Sequence, residues 1–272
     1  SALEQGVEQL NVVANFKVLE LESTFSKHRQ NLNDLADVFT RQKRQFDTAN
    51  AWLNIEPALY KPASVSYFVE TSGKVFAQPE PWQFTMGQEL DLENNLIYNL
   101  VRDNLDKTST GSWTPVYYDD VLQQWLMTYA KPIFLDKEFV GVLGAGLGVD
   151  PIIERLKQTY AGYGVEFFIH DAAGNIVFHP DYGARLLRQV DVMNLTVSGN
   201  RLIRHSLNDY IEKDTVDGPV SDFIDWGKKV YAVSKSVQSN GWVIVTYRSE
   251  QAMLKPWYEL VTDSLLLFAF FL

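Results

Sequence analysis

The chain has no cysteine, which excludes disulfides, thiolate nucleophiles and cysteine-ligated zinc together and is compatible with an extracytoplasmic location. Basic clusters are missing too. The 24 Lys and Arg stand against 34 Asp and Glu, a formal charge of -10. Nucleic-acid binding rests on clustered Lys and Arg, so no nucleic-acid partner is expected. The histidines His28, His170, His179 and His205 are scattered singly, without HExxH or i, i+4 spacing, and no metal is expected. There is no G-x-S-x-G elbow. The run Gly144-Ala-Gly-Leu-Gly148 lacks the dinucleotide spacing, because its third glycine would have to fall on Val149. Neither catalytic residues nor a cofactor is expected.

What is present is a well-patterned chain of 272 residues, 46% of them hydrophobic, long enough for one large domain or two ordinary ones. Residues 3 to about 47 contain no proline, and Val7, Leu10, Ala14, Val18, Leu21, Phe25, Leu32, Leu35 and Phe39 recur at helical spacing, with His28 in the one gap. This predicts a single amphipathic helix of roughly 45 residues. Val65–Val69 and Lys74–Ala77, separated by Thr71-Ser72-Gly73, form a hairpin pattern. The same pattern returns about a hundred residues later as Val165–Ile169, a turn at Asp171 to Gly174, and Asn175–Phe178. Gln124–Phe134 with Phe139–Ala145 is echoed by Lys229–Val237 with Trp242–Tyr247. Two copies of one α+β unit, each with a five-stranded antiparallel sheet, are therefore expected. Asp150-Pro151 starts a short linker helix, a second helix is expected over Asn200 to Lys213, and Asp222 to Gly227 reads as a turn. The chain ends on Ser264-Leu-Leu-Leu-Phe-Ala-Phe-Phe-Leu272, nine residues where a bilayer span takes about 20. This reads as the first part of a membrane helix.

The stretch from Trp113 to Asp150 concentrates the candidates for function. Tyr117, Asp119, Tyr129 and Lys131 fall on neighbouring strands of an expected meander, while Gly141, Gly144, Gly146 and Gly148 leave the third strand nearly bare. Glycine inside a strand costs stability and marks a close approach to the backbone, here by a small ligand. Asp119-Asp120 also reads as a turn. Trp113 reads equally as a packing anchor or a ligand stacker.

In order and spacing, Trp113-x-x-x-Tyr117-x-Asp119, Thr128-Tyr-Ala-x-Pro132, Phe139-Val-Gly-Val-Leu-Gly144, Asp171-x-x-Gly174 through His179-Pro180, and Gly241-Trp242-Val243 resemble a double Cache (dCache) extracytoplasmic sensor domain. The resemblance covers nearly the whole chain. It implies a signalling and dimerisation helix over 1–50, a membrane-distal PAS-like module over 51–149, a linker helix over 150–163, a proximal module over 164–248, and a C-terminal helix entering the membrane over 249–272. It implies a periplasmic ligand sensor anchored in the inner membrane, a homodimer through its first helix, most often part of a two-component histidine kinase. A diguanylate cyclase or a chemotaxis receptor is the alternative output. A periplasmic hydrolase and a ligand-free dimerisation stalk stand as readings from other classes. The distal module is the one that usually holds ligand, and the family's pocket falls on Tyr117, Asp119, Tyr129 and the glycine strand, with Trp113, Lys131, Gly144 and Gly146 beside them. The amino-acid-binding subset carries Arg-x-Trp-Tyr and an aspartate after the glycine strand. Here the first is absent and the second falls on Gly146. With Lys131 and Arg102 nearby, the expected ligand is a small carboxylate or another anion.

Overall fold

A computed structural model of the chain describes residues 2–41, 51–52, 63–78, 92–105, 110–159, 161–180, 221–225 and 228–270. The helix expected over Asn200 to Lys213, and the part of the first helix beyond residue 41, lie outside them. Helix α1 runs Ala2–Thr40. The strands of the first sheet are β1 (Ala63–Glu70), β2 (Val75–Gln78), β3 (Ser112–Trp113), β4 (Tyr117–Asp119), β5 (Gln124–Leu135) and β6 (Glu138–Gly148), with helix α2 (Leu96–Arg102) between β2 and β3. Helix α3 (Val149–Gln158) follows, beginning ahead of the expected Asp150 cap. The second sheet comprises β7 (Glu166–His170), β8 (Ile176–Phe178), β9 (Ser221–Asp225), β10 (Lys228–Ser236) and β11 (Val243–Ser249), and helix α4 (Glu250–Phe270) closes the chain. Where a turn was expected after Ser221, the chain forms β9.

The sheets share one strand order, β2-β1-β6-β5-β3 and β8-β7-β11-β10-β9, antiparallel throughout. The first has six strands rather than five, because its outer strand is split. Pro115 has no N–H to give the ladder, so β3 and β4 are separate pieces that both pair with β5. Around the break, the Thr114 N–H donates to the Thr128 carbonyl at 2.8 Å, and the Thr128 N–H donates to Thr114 Oγ1 at 3.0 Å. The two leading hairpins also match in detail. Gly73 and Gly174 both take positive φ, 89° and 83°, and each N–H donates to the carbonyl three residues back, of Glu70 and Asp171, a turn geometry that favours glycine.

The chain divides into two compact units, one of Ser23–Ile152 and one of Ser1–Glu22 with Ile153–Leu272. In the first, one face of the sheet buries Phe68, Phe76, Ile133 and Leu143 against Leu32, Leu35, Ala36 and Phe39 of α1. Its other face packs Val65, Tyr67, Val69, Leu126 and Val142 under Ile97, Tyr98 and Val101 of α2. In the second, Tyr231 and Val233 pack with Leu10 and Ala14 of α1 and with Met253 of α4. Lys17 is buried there. Its ammonium donates to the Leu156 carbonyl and, at 2.8 Å, to the Thr159 carbonyl, and lies 4.4 Å from the centre of the Phe167 ring. It thereby serves carbonyls that the end of α3 leaves without helical partners. Glu20 adds a hydrogen bond from Thr159 Oγ1 and an ion pair with Arg155, and Glu22 accepts from the Gln238 N–H and the Ser239 hydroxyl.

Candidate functional site

The strand register decides which of the expected site residues meet. In β5, Thr128 pairs with Gly146 and Ala130 with Gly144, while Tyr129 pairs with Ala145 and Lys131 with Leu143. Successive side chains alternate between faces, so Thr128 shares the α2 face with Gly144, Gly146 and Gly148, and Tyr129 and Lys131 belong to the α1 face. Gly141, three residues from Gly144, falls on the opposite face from those three. Along the outer strand Trp113 pairs with Tyr129, but Tyr117 pairs with Leu126. One residue more stands between Trp113 and Tyr117 than between their partners, and such a bulge moves the rest of the strand to the other face. Tyr117 and Asp119 therefore join the glycine face, and Trp113 does not.

The expected set is thus divided. Trp113 lies between α1 and the sheet, 5.2 Å from the Tyr129 ring, 5.3 Å from Phe25 and 5.5 Å from His28. His28 bonds the Ala145 carbonyl through Nε2 at 2.8 Å, and burial pushes its pKa down to about 4, so the ring is neutral. The Tyr129 hydroxyl donates to the Thr110 carbonyl. This is a packed aromatic layer against α1. The grouping of Trp113, Tyr129 and Lys131 with Tyr117 and Asp119 around one cleft is corrected by the bulge.

On the glycine face, Tyr117 Oη lies 2.7 Å from Thr128 Oγ1, and Thr128 is wholly buried. Tyr67, which the sequence reading did not single out, fills the room above Gly144. A Cβ added at Gly144 would lie 2.5 Å from Tyr67 Cζ, and one at Gly146 would lie 3.0 Å from Thr128 Oγ1 and from Val65. The bare strand is therefore covered, by the Tyr67 ring at Gly144, by Thr128 and Val65 at Gly146, and by Gln124 and Ser64 at Gly148. Asp119 is 7% exposed, and its Oδ1 accepts from the Leu122 N–H at 2.8 Å, so the expected turn role is present as well. Its second oxygen has no hydrogen-bond partner among the described residues. Burial pushes the Tyr117 hydroxyl up to about 12, with the Thr128 hydroxyl opposing and Asp119 reinforcing the shift. Burial likewise raises Tyr67 well above the ordinary tyrosine value, with Tyr117 and Asp119 adding to it and Thr128 partly offsetting it. Both tyrosines stay neutral, and the group offers hydroxyl donors and acceptors beside one carboxylate.

Neither base expected to face this group does so. Lys131 belongs to the α1 face, and the half-exposed Arg102 guanidinium pairs with Asp103 at 3.1 Å. Among the described residues, no cluster of three or more His, Asp or Glu is placed to hold a metal ion. A groove of about 570 Å³ runs along α4, lined by Ser249, Lys255, Tyr258, Glu259, Thr262 and Asp263 among others. Its lining comes from α4 and the last residue of β11, and Lys255 is paired with Glu259, so the candidate site is the glycine face.

Comparisons with known proteins agree with this architecture. The Cache domain family model matches residues 1–257. Among solved structures, the ligand-binding domain of the Campylobacter jejuni chemoreceptor Tlp3, in complex with 4-methylisoleucine, is 19% identical, with 94% of this chain and 95% of that chain covered and a TM-score of 0.69. The ligand-binding domain of the Pseudomonas aeruginosa PAO1 amino acid chemoreceptor PctB, in complex with L-Arg, is 15% identical, covering 94% and 93% of the two chains with a TM-score of 0.67. No curated protein matches the sequence. The chain belongs to the double Cache family, whose members are extracytoplasmic sensor domains of membrane receptors.

Proposed function

We propose that this domain binds a small molecule at the glycine face of its first sheet, in contact with Tyr67, Tyr117, Thr128 and Asp119, and reports occupancy across a membrane. The observation that carries the reading is a nearly buried carboxylate set beside three hydroxyls over a glycine-bearing strand. The Tyr117 and Thr128 hydroxyls partner each other and one Asp119 oxygen holds the Leu122 N–H, which leaves the second Asp119 oxygen and the remaining hydroxyl lone pairs for a ligand. A ligand acts by preferring one arrangement of the module, and only that differential affinity is available for signalling. Tenfold preference corresponds to about 1.4 kcal/mol. The expected histidine-kinase output has no support beyond the family, whereas both solved relatives named above are chemoreceptors, which favours that output.

Two surfaces support the receptor reading. On α1, Val12, Phe16 and Leu19 are exposed at i, i+4, i+7 spacing, an apolar stripe suited to a second copy of the helix. On α4, Leu265, Leu266, Leu267, Phe268 and Phe270 are all strongly exposed. Four consecutive apolar residues face every side of a helix, which suits lipid better than a single partner groove. Trp257 and Tyr258, exposed and 5.5 Å apart, precede them by two turns, where aromatic side chains sit at a membrane interface. None of the described helices is itself long and apolar enough to cross a membrane.

A thermal-shift screen of amino acids, amines and organic acids tests the proposal. A ligand that raises the melting temperature of the native domain should lose its effect in Thr128→Val, which keeps shape and removes the hydroxyl. An undiminished shift in that variant would place binding elsewhere.

A further inference from the structure

The charge on the glycine face points to a ligand class opposite to the anion expected from the sequence. We infer that the site recognises a small protonated amine, whose ammonium pairs with Asp119 and hydrogen-bonds the Tyr117 and Thr128 hydroxyls, and that it does not require a carboxylate on the ligand. This rests on the assignment of the site to that face.

Four observations converge on it. Asp119 is the carboxyl group on the face among the described residues: it is 7% exposed, one oxygen is taken up by the Leu122 N–H, and the other has no partner among those residues. A buried carboxylate without a cation is unfavourable, and a bound ammonium offsets that cost. Second, the two bases expected beside Asp119 are placed otherwise, Lys131 on the opposite face by its register with Leu143 and Arg102 in an exposed pair with Asp103. Third, the sequence joining β2 to α2 carries Glu80, Glu89, Asp91 and Glu93 and no Lys or Arg before Arg102, so it brings no compensating base. Fourth, the polar atoms beside Asp119 are uncharged, the hydroxyls of Tyr67, Tyr117 and Thr128 and, next to Gly148, the Ser64 hydroxyl and the Gln124 amide oxygen; all can accept from N–H donors, and tyrosine rings attract a cation over their faces. A carboxylate entering the same place would meet Asp119 with no positive group opposite it among the described residues, at a cost that grows as water is excluded.

The test uses trios that share a side chain and differ in charge: isobutylamine, valine and isovalerate; tyramine, tyrosine and 3-(4-hydroxyphenyl)propionate; butylamine, norvaline and valerate. Each is titrated by thermal shift and calorimetry against the wild-type domain, Asp119→Asn and Thr128→Val. Asparagine keeps an oxygen for the Leu122 N–H, so the turn is retained, and far-UV circular dichroism checks the fold of both variants. Binding of at least one amine, tenfold or more tighter than its carboxylate counterpart and weakened at least tenfold by Asp119→Asn, supports the inference. Binding of carboxylates or amino acids with the amines silent, lost in Thr128→Val, overturns the ligand class and leaves the site standing. Amine binding unchanged in both variants overturns site and class together. Absence of a shift with every amine at 10 mM overturns the class.

Discussion

Lys17 offers a quantitative check on the packing of α1 against α3. Its ammonium is buried against Phe167 with the Leu156 and Thr159 carbonyls as acceptors. Burial lowers its pKa from 10.5 to about 8, against the opposing pull of Glu20. On α3, Arg155 is paired with Glu20 and Lys157 with Glu154. For a base with a depressed native pKa, native and unfolded chains are both protonated below pH 8. Between pH 8 and 10.5 only the unfolded chain keeps the proton, so stability rises with pH in that window. The gap corresponds to about 3 kcal/mol. In a unit of roughly 140 residues, at about 3 °C per kcal/mol, it amounts to about 10 °C in Tm. Other lysines and tyrosines titrate in the same range, so the quantity to measure is the difference between wild type and Lys17→Met, followed by calorimetry from pH 7 to 10.5. Met should be the more favourable partner at pH 7 relative to its standing at pH 10.5, with the difference moving by about 3 kcal/mol. Parallel curves would refute the claim that this ammonium is held out of water.

Three further tests address other parts of the molecule. Gly144→Ala sets a Cβ 2.5 Å from the Tyr67 ring, so the urea midpoint should fall by the equivalent of about 1–3 kcal/mol; an unchanged midpoint would mean that Tyr67 does not occupy that space. His28 is held neutral, with a pKa near 4 against an ordinary 6.5, so its contribution is complete above pH 6.5 and is lost as pH falls toward 4, by about 3 kcal/mol. In His28→Gln, whose amide can still donate to the Ala145 carbonyl, the acid side of the stability curve should be flatter than wild type, and superimposable curves would contradict the burial. Leu19→Glu on the exposed α1 stripe should shift the domain toward monomer in light scattering at constant Tm, and an unaltered mass would remove that stripe from any dimer contact.

The repeated unit was legible in the sequence because each hairpin carries its own local signals: β-branched and aromatic runs, a glycine at the positive-φ turn position, and the same order of elements twice over. The α1 stripe was equally plain, including His28, whose place in the apolar series matches its 1% exposure. What the sequence could not supply was the face on which each outer-strand residue falls. Trp113 and Tyr117 are four apart and alternate onto one side in an unbroken strand, but the extra residue at the Pro115 break reverses the second. Pro115 was the available signal, since a proline inside a strand pattern marks a break or bulge. Tyr67 and Thr128 were passed over for a different reason. Their importance arises from pairing across β1, β6 and β5, where Tyr67 lies opposite Gly144 and Thr128 opposite Gly146, and pairing partners far apart in sequence leave no local trace. Lys17 is similar, a cation on an amphipathic helix whose acceptors lie about 140 positions away.

The shared first helix sets the minimum fragments that can be produced in isolation. A piece beginning after residue 50 would leave Phe68, Phe76 and Leu143 without Leu32, Leu35 and Phe39, and a piece beginning at Ile153 would strip Tyr231 and Val233 of Leu10 and Ala14. Recombinant versions of the first sheet therefore need a start no later than Ser23. The second sheet needs residues 2–22 supplied from the far end of the chain, for which a circularly permuted gene or an added synthetic peptide is the practical route.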